Sequence, residues 1–314
     1  MQSKKIVAIG ELLWDLLPGE KKLGGAVANF AYRLNGLANQ VFFVSRLGND
    51  ALGDEALKIL RRNHLNTDYI QSDNTHSTGT VNVFFDRHRN PDYTIIKGAA
   101  YDFTEMDDRL LQLAAGAGCI VYGTLAQRSE ISGSTINQLI EAAPVNAVKF
   151  CDINLRKNCY TKAIVASSLQ HANIAKLNHA EAFELAGMFG FESAQLVEIM
   201  VELVKKFQLN ICLVTLEAKG ALAVNNKSEI FYSPGYKIKM EDPVGAGDAY
   251  SAAFVHQILQ GESIHEALNQ GNIFGAIVAG QKGAMQNISE EDLQPFRKNQ
   301  VQPIVDKEFV RFSK

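Results

Sequence analysis

Short apolar runs that alternate with segments of helical composition constrain the fold of this 314-residue chain more than any other feature. Continuously apolar runs are typical of parallel strands that are covered by helices on both faces. The pattern therefore predicts an α/β fold with a doubly wound, mostly parallel sheet and helices on both of its faces. The runs are residues 5–10, 41–45, 119–122, 147–151, 174–177 and 211–214, and the helical segments include residues 25–35, 132–143 and 193–207.

Two hairpins interrupt or follow this alternation. Residues 78–85 and 92–97 alternate apolar and polar side chains around the polar turn 86–90. Such alternation predicts an antiparallel pair with one face in water. A second hairpin is predicted over residues 221–232, with its turn at Asn225-Asn226-Lys227.

The first hairpin is expected to belong to a small β lid. Residues 12–17 are also strand-like and lie close to the start of the chain. We therefore expect one α/β domain over residues 1–314, with a small β lid inserted from about residues 11–24 and 77–98.

Composition argues against several classes of protein. With 46% hydrophobic and 21% charged residues, the chain can bury a large core. A formal net charge of -3 supplies no general basic field, so we expect no nucleic-acid partner. The four cysteines lack a CxxC pair, and no long apolar span is visible. These features favour a reducing, cytoplasmic location without a membrane partner.

The segment Asp242-Pro243-Val244-Gly245-Ala246-Gly247-Asp248 predicts an anion site, because an apolar, helix-prone run follows it at residues 249–259. A glycine loop that leads into a helix presents backbone N–H groups and the positive end of the helix dipole. Asp248 in the first turn would repel a phosphate, so its presence suggests a general base for an alcohol that attacks a phosphoryl group. A glycine turn whose aspartate merely favours the helix start explains the spacing about equally well.

A second glycine element stands near the start of the chain. Gly24 and Gly25 open a predicted helix that carries Asn29, and Asp15 precedes them. The glycines permit close approach of a polyol, and the two polar side chains suit vicinal hydroxyls. By itself, the cluster is better explained as an ordinary glycine turn.

Polar side chains also follow two later strands, at the edge where doubly wound sheets bind ligands. Asp152, Asn154 and Arg156 occupy alternate positions, which places them on one side if the chain stays extended. A solvated loop explains them almost as well. Asn178 and Glu181 share one helical face, and sequence physics alone favours a capping box for this pair.

Taken in order, these segments resemble the ribokinase-type (PfkB) carbohydrate kinases over about residues 6–285. The resemblance rests on GG-x-x-x-N at residues 24–29 and on the highly specific D-x-x-G-A-G-D at residues 242–248. The intermediate markers are D-x-N-x-R from Asp152, N-x-x-E from Asn178, and Thr215 with Lys219-Gly220. The spacing before and after Gly24-Gly25 looks most like that of bacterial fructokinases.

The resemblance implies a kinase that transfers the γ-phosphoryl group of ATP to a primary hydroxyl of a small sugar, most plausibly fructose. Asp248 would be the general base, and the N–H groups of Gly245, Ala246 and Gly247 would form the anion hole. Glu181 would organise Mg²⁺ mostly through water, and K⁺ or another monovalent cation is an open further cofactor. The implied sugar contacts are Asp15, Gly24, Gly25, Asn29, Tyr101, Gln127, Asp152 and Arg156, and the implied nucleotide contacts are Asn178, Thr215, Glu217, Gly220, Gly247 and Asn272. A homodimer through the lid is a further possibility that the resemblance raises.

Other substrates and activities remain open. The substrate alternatives are 2-keto-3-deoxygluconate, ribose and nucleosides, and a sugar acid would need an added cation from among Arg87, Arg89, Lys97 and Arg128. Glu217 stands where the family often has glycine, which puts nucleotide affinity in question. A sensing protein of the same fold would not need Asp248. A dinucleotide oxidoreductase would need GxGxxG after the first strand, where this chain has Gly10-Glu11-Leu12.

Overall fold

The computed structural model describes the backbone of residues 4–85 and 91–313 and the side chains of residues 4–82 and 94–313. Its strands are β1 (Lys5–Ile9), β2 (Leu13–Leu17), β3 (Glu20–Gly24), β4 (Gln40–Gly48), β5 (Ile70–Asp73), β6 (Gly79–Phe85), β7 (Pro91–Ile95), β8 (Cys119–Gly123), β9 (Val148–Asp152), β10 (Ile174–Asn178), β11 (Ile211–Thr215), β12 (Ala221–Asn225), β13 (Ile230–Ser233), β14 (Gly235–Tyr236) and β15 (Pro303–Ile304). Its helices are α1 (Ala26–Gly36), α2 (Ala51–Arg62), α3 (Asp108–Ala115), α4 (Glu130–Ala142), α5 (Lys162–His171), α6 (His179–Phe189), α7 (Leu196–Phe207), α8 (Ala246–Gln260), α9 (Ile264–Ala279) and α10 (Glu290–Arg297).

A nine-stranded sheet forms the centre of the molecule, in the order β13-β12-β11-β10-β9-β8-β1-β4-β5. The seven strands from β11 to β5 in this order are parallel, and β12 and β13 extend the sheet antiparallel. Along β1, Val7 packs in one hydrophobic core, whereas Ile6 and Ala8 pack in another. The sheet therefore buries both faces, and the predicted α/β fold is confirmed.

A smaller sheet lies beside the main one, in the order β3-β2-β6-β7. Strands β6 and β7 form the first predicted hairpin, and its turn at residues 86–90 lies outside the described residues. Strand β2 pairs antiparallel with β3 and parallel with β6. The second predicted hairpin is confirmed as β12 and β13. That the small sheet acts as a lid stays a prediction.

The parallel topology brings the candidate residues to one edge of the sheet. Parallel strands end at the same edge, where α6 follows β10, and the first turns of α1 and α8 line a cavity together with Asn178 at the end of β10. Within the described ranges, no helix has the length and apolar character needed to cross a membrane.

Candidate active site

Asp248 lies in the first turn of α8 and is held by Asn29 from α1. The Asn29 Nδ2 group donates to the Asp248 Oδ2 atom over 2.8 Å. Burial raises the pKa of Asp248 to about 7, with Asp152 adding to the rise, although the Asn29 hydrogen bond, Lys176 and Arg156 oppose it. A carboxylate with this pKa is suited to accept a proton near neutral pH. The buried Asn29 Oδ1 atom has no partner among the described residues, so it can accept a hydrogen bond from a ligand.

The loop before α8 requires glycine at Gly245. Its φ is +81°, and a Cβ atom there would lie 2.4 Å from the Ala284 Cβ. The N–H groups of Gly245 and Gly247 have no acceptor among the described residues, as an anion hole needs. The Ala246 N–H donates instead to the Pro243 carbonyl over 3.2 Å. The expectation that all three N–H groups are available therefore needs correction at Ala246.

Lys176 is a candidate site residue that the sequence analysis missed. It lies in β10 with only 7% exposure, and its Nζ atom is 3.1 Å from the Asp152 Oδ2 atom. A Cβ atom at Gly247 would lie 3.4 Å from the same Nζ. The ammonium therefore lies against the loop of residues 242–248, which we call the anion-hole loop. Burial lowers the pKa of Lys176, but the nearby carboxylates, Asp152 foremost, outweigh burial and keep the group charged. The sequence did contain a signal, because this lysine stands inside the apolar run 174–177. Lysine is rarely buried without a charged partner, so its position predicts a nearby carboxylate.

The segment after β9 does not stay extended. Asn154 has a φ of +40°, so the extended backbone on which the alignment of Asp152, Asn154 and Arg156 depended is absent here. Asp152 turns inward to Lys176 and accepts a hydrogen bond from the Ser251 hydroxyl over 3.1 Å. Arg156 instead lines the cavity beside Asp248 and has no ion-pair partner among the described residues.

A cavity of about 400 Å³ opens in front of Asp248. Burial raises the pKa of Asp15, one of the polar groups in its wall, while Arg156 and Lys22 oppose the rise. Gly24 packs against Asp15, because a Cβ atom at Gly24 would lie 2.9 Å from the Asp15 Oδ2 atom. The lining includes Glu11, Asp15, Gly25, Asn29, Arg156, Lys176, Asn178 and Asp248.

Glu11 is a second lining residue that the sequence analysis missed. Its Oε1 atom accepts a hydrogen bond from the Ala26 N–H over 2.8 Å, at the first turn of α1. Burial raises the pKa of this carboxyl group, against the backbone hydrogen bonds and Arg156. Gly25 is required here, since its φ is +115° and a Cβ atom would meet the Glu11 carbonyl oxygen at 2.3 Å.

Four of the eight expected sugar contacts do not line this cavity: Gly24 and Asp152, described above, and Tyr101 and Gln127. Gln127 is buried, and its Nε2 group donates to the Gly123 carbonyl and to the Ser168 hydroxyl, each over 2.8 Å. Tyr101 is 1% exposed and packs under Gly79, with its hydroxyl lacking a partner among the described residues. Both side chains support the fold behind the site.

A second cavity, of about 390 Å³, lies on the other side of the anion-hole loop. It contains the expected nucleotide residues Thr215, Glu217, Gly220, Gly247 and Asn272. Thr215, Pro243 and Gly247 line both cavities. The loop that carries Asp248 therefore forms the wall between two ligand-sized spaces.

Three of the nucleotide-side residues are constrained by their surroundings. Gly220 has a φ of +97°, and a Cβ atom there would lie 2.0 Å from the Ser233 carbonyl oxygen. Glu217 has a φ of +53°, so this glutamate adopts a backbone conformation that favours glycine. The Asn272 Nδ2 group donates to the carbonyls of Ser233 and Pro234 over 3.0 Å each, which leaves its Oδ1 atom able to accept a hydrogen bond from a ligand.

Asn178 and Glu181 form the expected capping box of α6. The Asn178 Oδ1 atom accepts from the Glu181 N–H, and the Glu181 Oε2 atom accepts from the Asn178 N–H. The Glu181 Oε1 atom accepts from the Leu155 N–H over 2.8 Å. Asn178 lines the cavity in front of Asp248 rather than the nucleotide-side cavity. The described residues contain no group of three acidic, histidine or cysteine side chains that would enclose a metal ion.

Comparison with known proteins settles the family. A profile described as "pfkB family carbohydrate kinase" matches residues 9–291. The chain belongs to this family. Among curated members, it is 27% identical to a fructokinase of Klebsiella pneumoniae, over 92% of this chain and 98% of the relative.

Solved pfkB-type kinases share the architecture. A fructokinase of Xylella fastidiosa with bound ATP superposes with a TM-score of 0.83 at 19% identity, over 95% of this chain and 99% of the other. A double mutant of the Vibrio cholerae fructokinase, bound to fructose, ADP and potassium, has a TM-score of 0.75 at 25% identity, over 90% and 94% of the two chains. This pfkB member is therefore a carbohydrate kinase with a ribokinase-like fold.

Proposed function

We propose that this kinase transfers the γ-phosphoryl group of ATP to a primary hydroxyl of fructose. The observation that carries the proposal is Asp248, a carboxylate with a pKa raised to about 7, at the wall shared by two ligand-sized cavities. ATP would occupy the cavity around Gly220, and the sugar would occupy the cavity around Asp15. The curated fructokinase at 27% identity and the fructose-bound neighbour at 25% identity support this substrate class.

The chain's own residues suit an in-line transfer. Asp248 accepts the proton of the attacking hydroxyl, and Asn29 orients the carboxylate through its Nδ2 group. The N–H groups of Gly245 and Gly247, which have no backbone acceptor among the described residues, would stabilise the developing negative charge as an anion hole does. The Lys176 ammonium lies against Gly247 and adds a fixed positive charge at the same place.

Two of the four cations considered for a sugar acid, Lys97 and Arg128, do not line the cavity in front of Asp248, which supports a neutral sugar. Arg128 is engaged by Asp102 through two hydrogen bonds of 2.8 Å, and Lys97 lines a different cavity. Arg87 and Arg89 lie outside the described residues. In the proposed sugar cavity, the buried Glu11 and the half-buried Asp15 are acids suited to accept hydrogen bonds from hydroxyls. Arg156 is the exposed cation of that cavity, and Lys176 is its buried cation.

Magnesium would enter with ATP. Mg²⁺ usually keeps several waters and is bound by substrate phosphates with few protein carboxylates. Each Glu181 oxygen accepts one backbone N–H, which leaves capacity for a metal-bound water but little room for direct ligation. When bound, the ion neutralises charge on the transferring phosphates.

A substrate screen tests the proposal. Initial rates with Mg·ATP and fructose, ribose, adenosine or 2-keto-3-deoxygluconate should give a kcat/KM for fructose at least about tenfold above each of the others. A preference for another of these compounds would replace fructose and leave the kinase assignment intact. Sugar binding without turnover of any of them would favour a sensing protein instead.

A further inference from the structure

We propose that the Lys22 ammonium supplies the positive charge that a bound monovalent cation would supply beside the anion-hole loop, so that this kinase works without such a cation. The proposal rests on the proposed function, because the loop is the anion hole of that reaction. Lys22 acts as a positioning residue in this scheme. Its ammonium contacts the loop at Asp242, and Lys22 is not among the residues that line the two cavities.

The contact joins the small sheet to the main body. Lys22 lies on β3, and its Nζ atom is 3.3 Å from the Asp242 Oδ2 atom. Asp242 starts the loop that ends at Asp248, and its side chain is 14% exposed. The same ammonium is 3.9 Å from the Glu20 Oε1 atom, at the exposed end of β3. The shorter and better shielded of the two contacts is therefore the one to Asp242.

The Asp242 carboxylate holds the loop in shape. Its Oδ1 atom accepts from the Val244 N–H over 3.1 Å, and its Oδ2 atom accepts from the Gly283 N–H over 3.2 Å. Ala284 follows Gly283 and packs against Gly245. The contact is so close that a Cβ atom at Gly245 would clash with the Ala284 side chain. The charge on Asp242 thus fixes both the loop and the segment that covers it.

The hydrogen-bond donors around the Asp242 carboxylate leave little capacity to bind a monovalent cation. Such an ion needs several oxygen ligands whose lone pairs face it. Two N–H groups and one ammonium already converge on the Asp242 carboxylate. A second positive charge at this carboxylate would be repelled by Lys22. The Asp242 carboxylate therefore does not suit a monovalent cation of the kind that the family resemblance left open.

The position of Lys22 also connects this charge to the sugar. Lys22 and Asp15 are directly paired across β2 and β3. Lys22 opposes the rise in the pKa of Asp15, so the two side chains interact electrostatically. A sugar held by Asp15 would keep β3, and with it the ammonium, in place on Asp242. Sugar binding and anion-hole geometry would then be coupled through one cross-strand pair.

The test compares Lys22→Met with a matched control, Lys21→Met. Methionine keeps most of the apolar stem and removes the charge. Lys21 is the adjacent residue, and its ammonium pairs with Glu55 instead. Rates with fructose and Mg·ATP would be measured at equal ionic strength in potassium chloride and in tetramethylammonium chloride, whose cation is too large for a compact oxygen site.

We expect wild type and Lys21→Met to have a kcat that differs less than about twofold between the two salts. Lys22→Met should lose about tenfold or more of kcat in tetramethylammonium and regain part of it in potassium, since the loss of one charge at an anion hole has this size. A merely structural lysine would give no recovery specific to potassium. Strong activation of wild type by potassium, or an unchanged kcat for Lys22→Met in tetramethylammonium, would overturn the proposal.

Thermal unfolding gives a readout without turnover. An ion that binds only the folded protein raises its Tm. Potassium should therefore raise the Tm of Lys22→Met relative to tetramethylammonium and leave wild type unchanged. If wild type phosphorylates none of the tested sugars, the proposed function fails, and this comparison still decides the role of Lys22. Equal potassium shifts for wild type and Lys22→Met would refute that role.

Discussion

At the scale of single residues, Asp248 is the group proposed to accept the proton of the attacking hydroxyl. We predict that Asp248→Asn lowers kcat by about two to four orders of magnitude, which is typical for loss of a general base. Binding of fructose and ATP should persist, because Asn29 can still hydrogen-bond the amide oxygen. Steady-state kinetics with calorimetric binding would check this. A kcat within a fewfold of wild type would remove Asp248 from its assigned role.

The raised pKa of Asp248 also predicts how stability depends on pH. Because this pKa is about 7 in the folded protein and about 4 in an unfolded chain, the folded state binds more protons between these values. This group therefore lowers the free energy of unfolding as pH rises from about 4 to 7. Asp248→Asn should be more stable than wild type at pH 8, and the gain should shrink at pH 5. Urea titrations at the two pH values would measure it, and a gain independent of pH would contradict the prediction.

Glu217 combines backbone strain with an unfavourable charge. Its φ of +53° costs about 1 kcal/mol for a side chain other than glycine, and its carboxylate lines the proposed nucleotide cavity. We predict that Glu217→Gly raises the Tm and lowers the KM for ATP. Glu217→Ala is the matched control, since it removes the charge and keeps the Cβ atom. An equal Tm for the two variants would show that the backbone conformation carries no cost.

At the scale of elements, α1 links three parts of the site. Gly25 precedes the helix, Asn29 holds Asp248, and Arg33 lies one turn further on. The buried Arg33 guanidinium donates to the carbonyls of Ala284 and Gln286, the segment that covers the anion-hole loop. Burial lowers the pKa of Arg33 to about 10, which leaves it charged at neutral pH.

We predict that Arg33→Met lowers kcat with fructose by about tenfold while its KM changes little, because the variant loosens the cover of the anion hole rather than the sugar contacts. The two carbonyls lose their donor, so stability should fall by about 1–3 kcal/mol. Arg33→Lys should recover part of both losses. Kinetics and urea unfolding would test this, and a larger effect on KM than on kcat would speak against it.

Local patterns made the main elements predictable, and tertiary partners decided the rest. The apolar runs and the Asn178–Glu181 capping box depend on neighbours in sequence, and the structure contains them. Lys176 was missed because its role depends on its contact with Asp152, which lies 24 residues away in the sequence. The direction of Asn154 was not predicted, because a D-x-N-x-R spacing does not determine whether the backbone at the asparagine is extended or left-handed. The availability of the Ala246 N–H likewise depends on how the Pro243 carbonyl turns.

At the scale of the whole molecule, the small sheet contributes Asp15 to the cavity in front of Asp248, where the sugar is proposed to bind. It also contributes Lys22, which contacts the anion-hole loop. The main body supplies Asp248 and the nucleotide cavity. Because the site is divided between the two sheets, a movement of the small sheet would open or complete it. Closure over a bound sugar would also exclude the water that competes as a phosphoryl acceptor.

We predict that saturating fructose slows amide hydrogen exchange in β2, β3 and residues 79–82, because the sugar ties Asp15 to the main body. Asp15→Ala should remove this protection, whereas Lys21→Met should retain it. Peptides from α7, which packs against α6, β11 and β12, serve as the internal reference. Unchanged exchange in the small sheet at saturating fructose would mean that this sheet is a fixed wall of the site, and the lid hypothesis would fail.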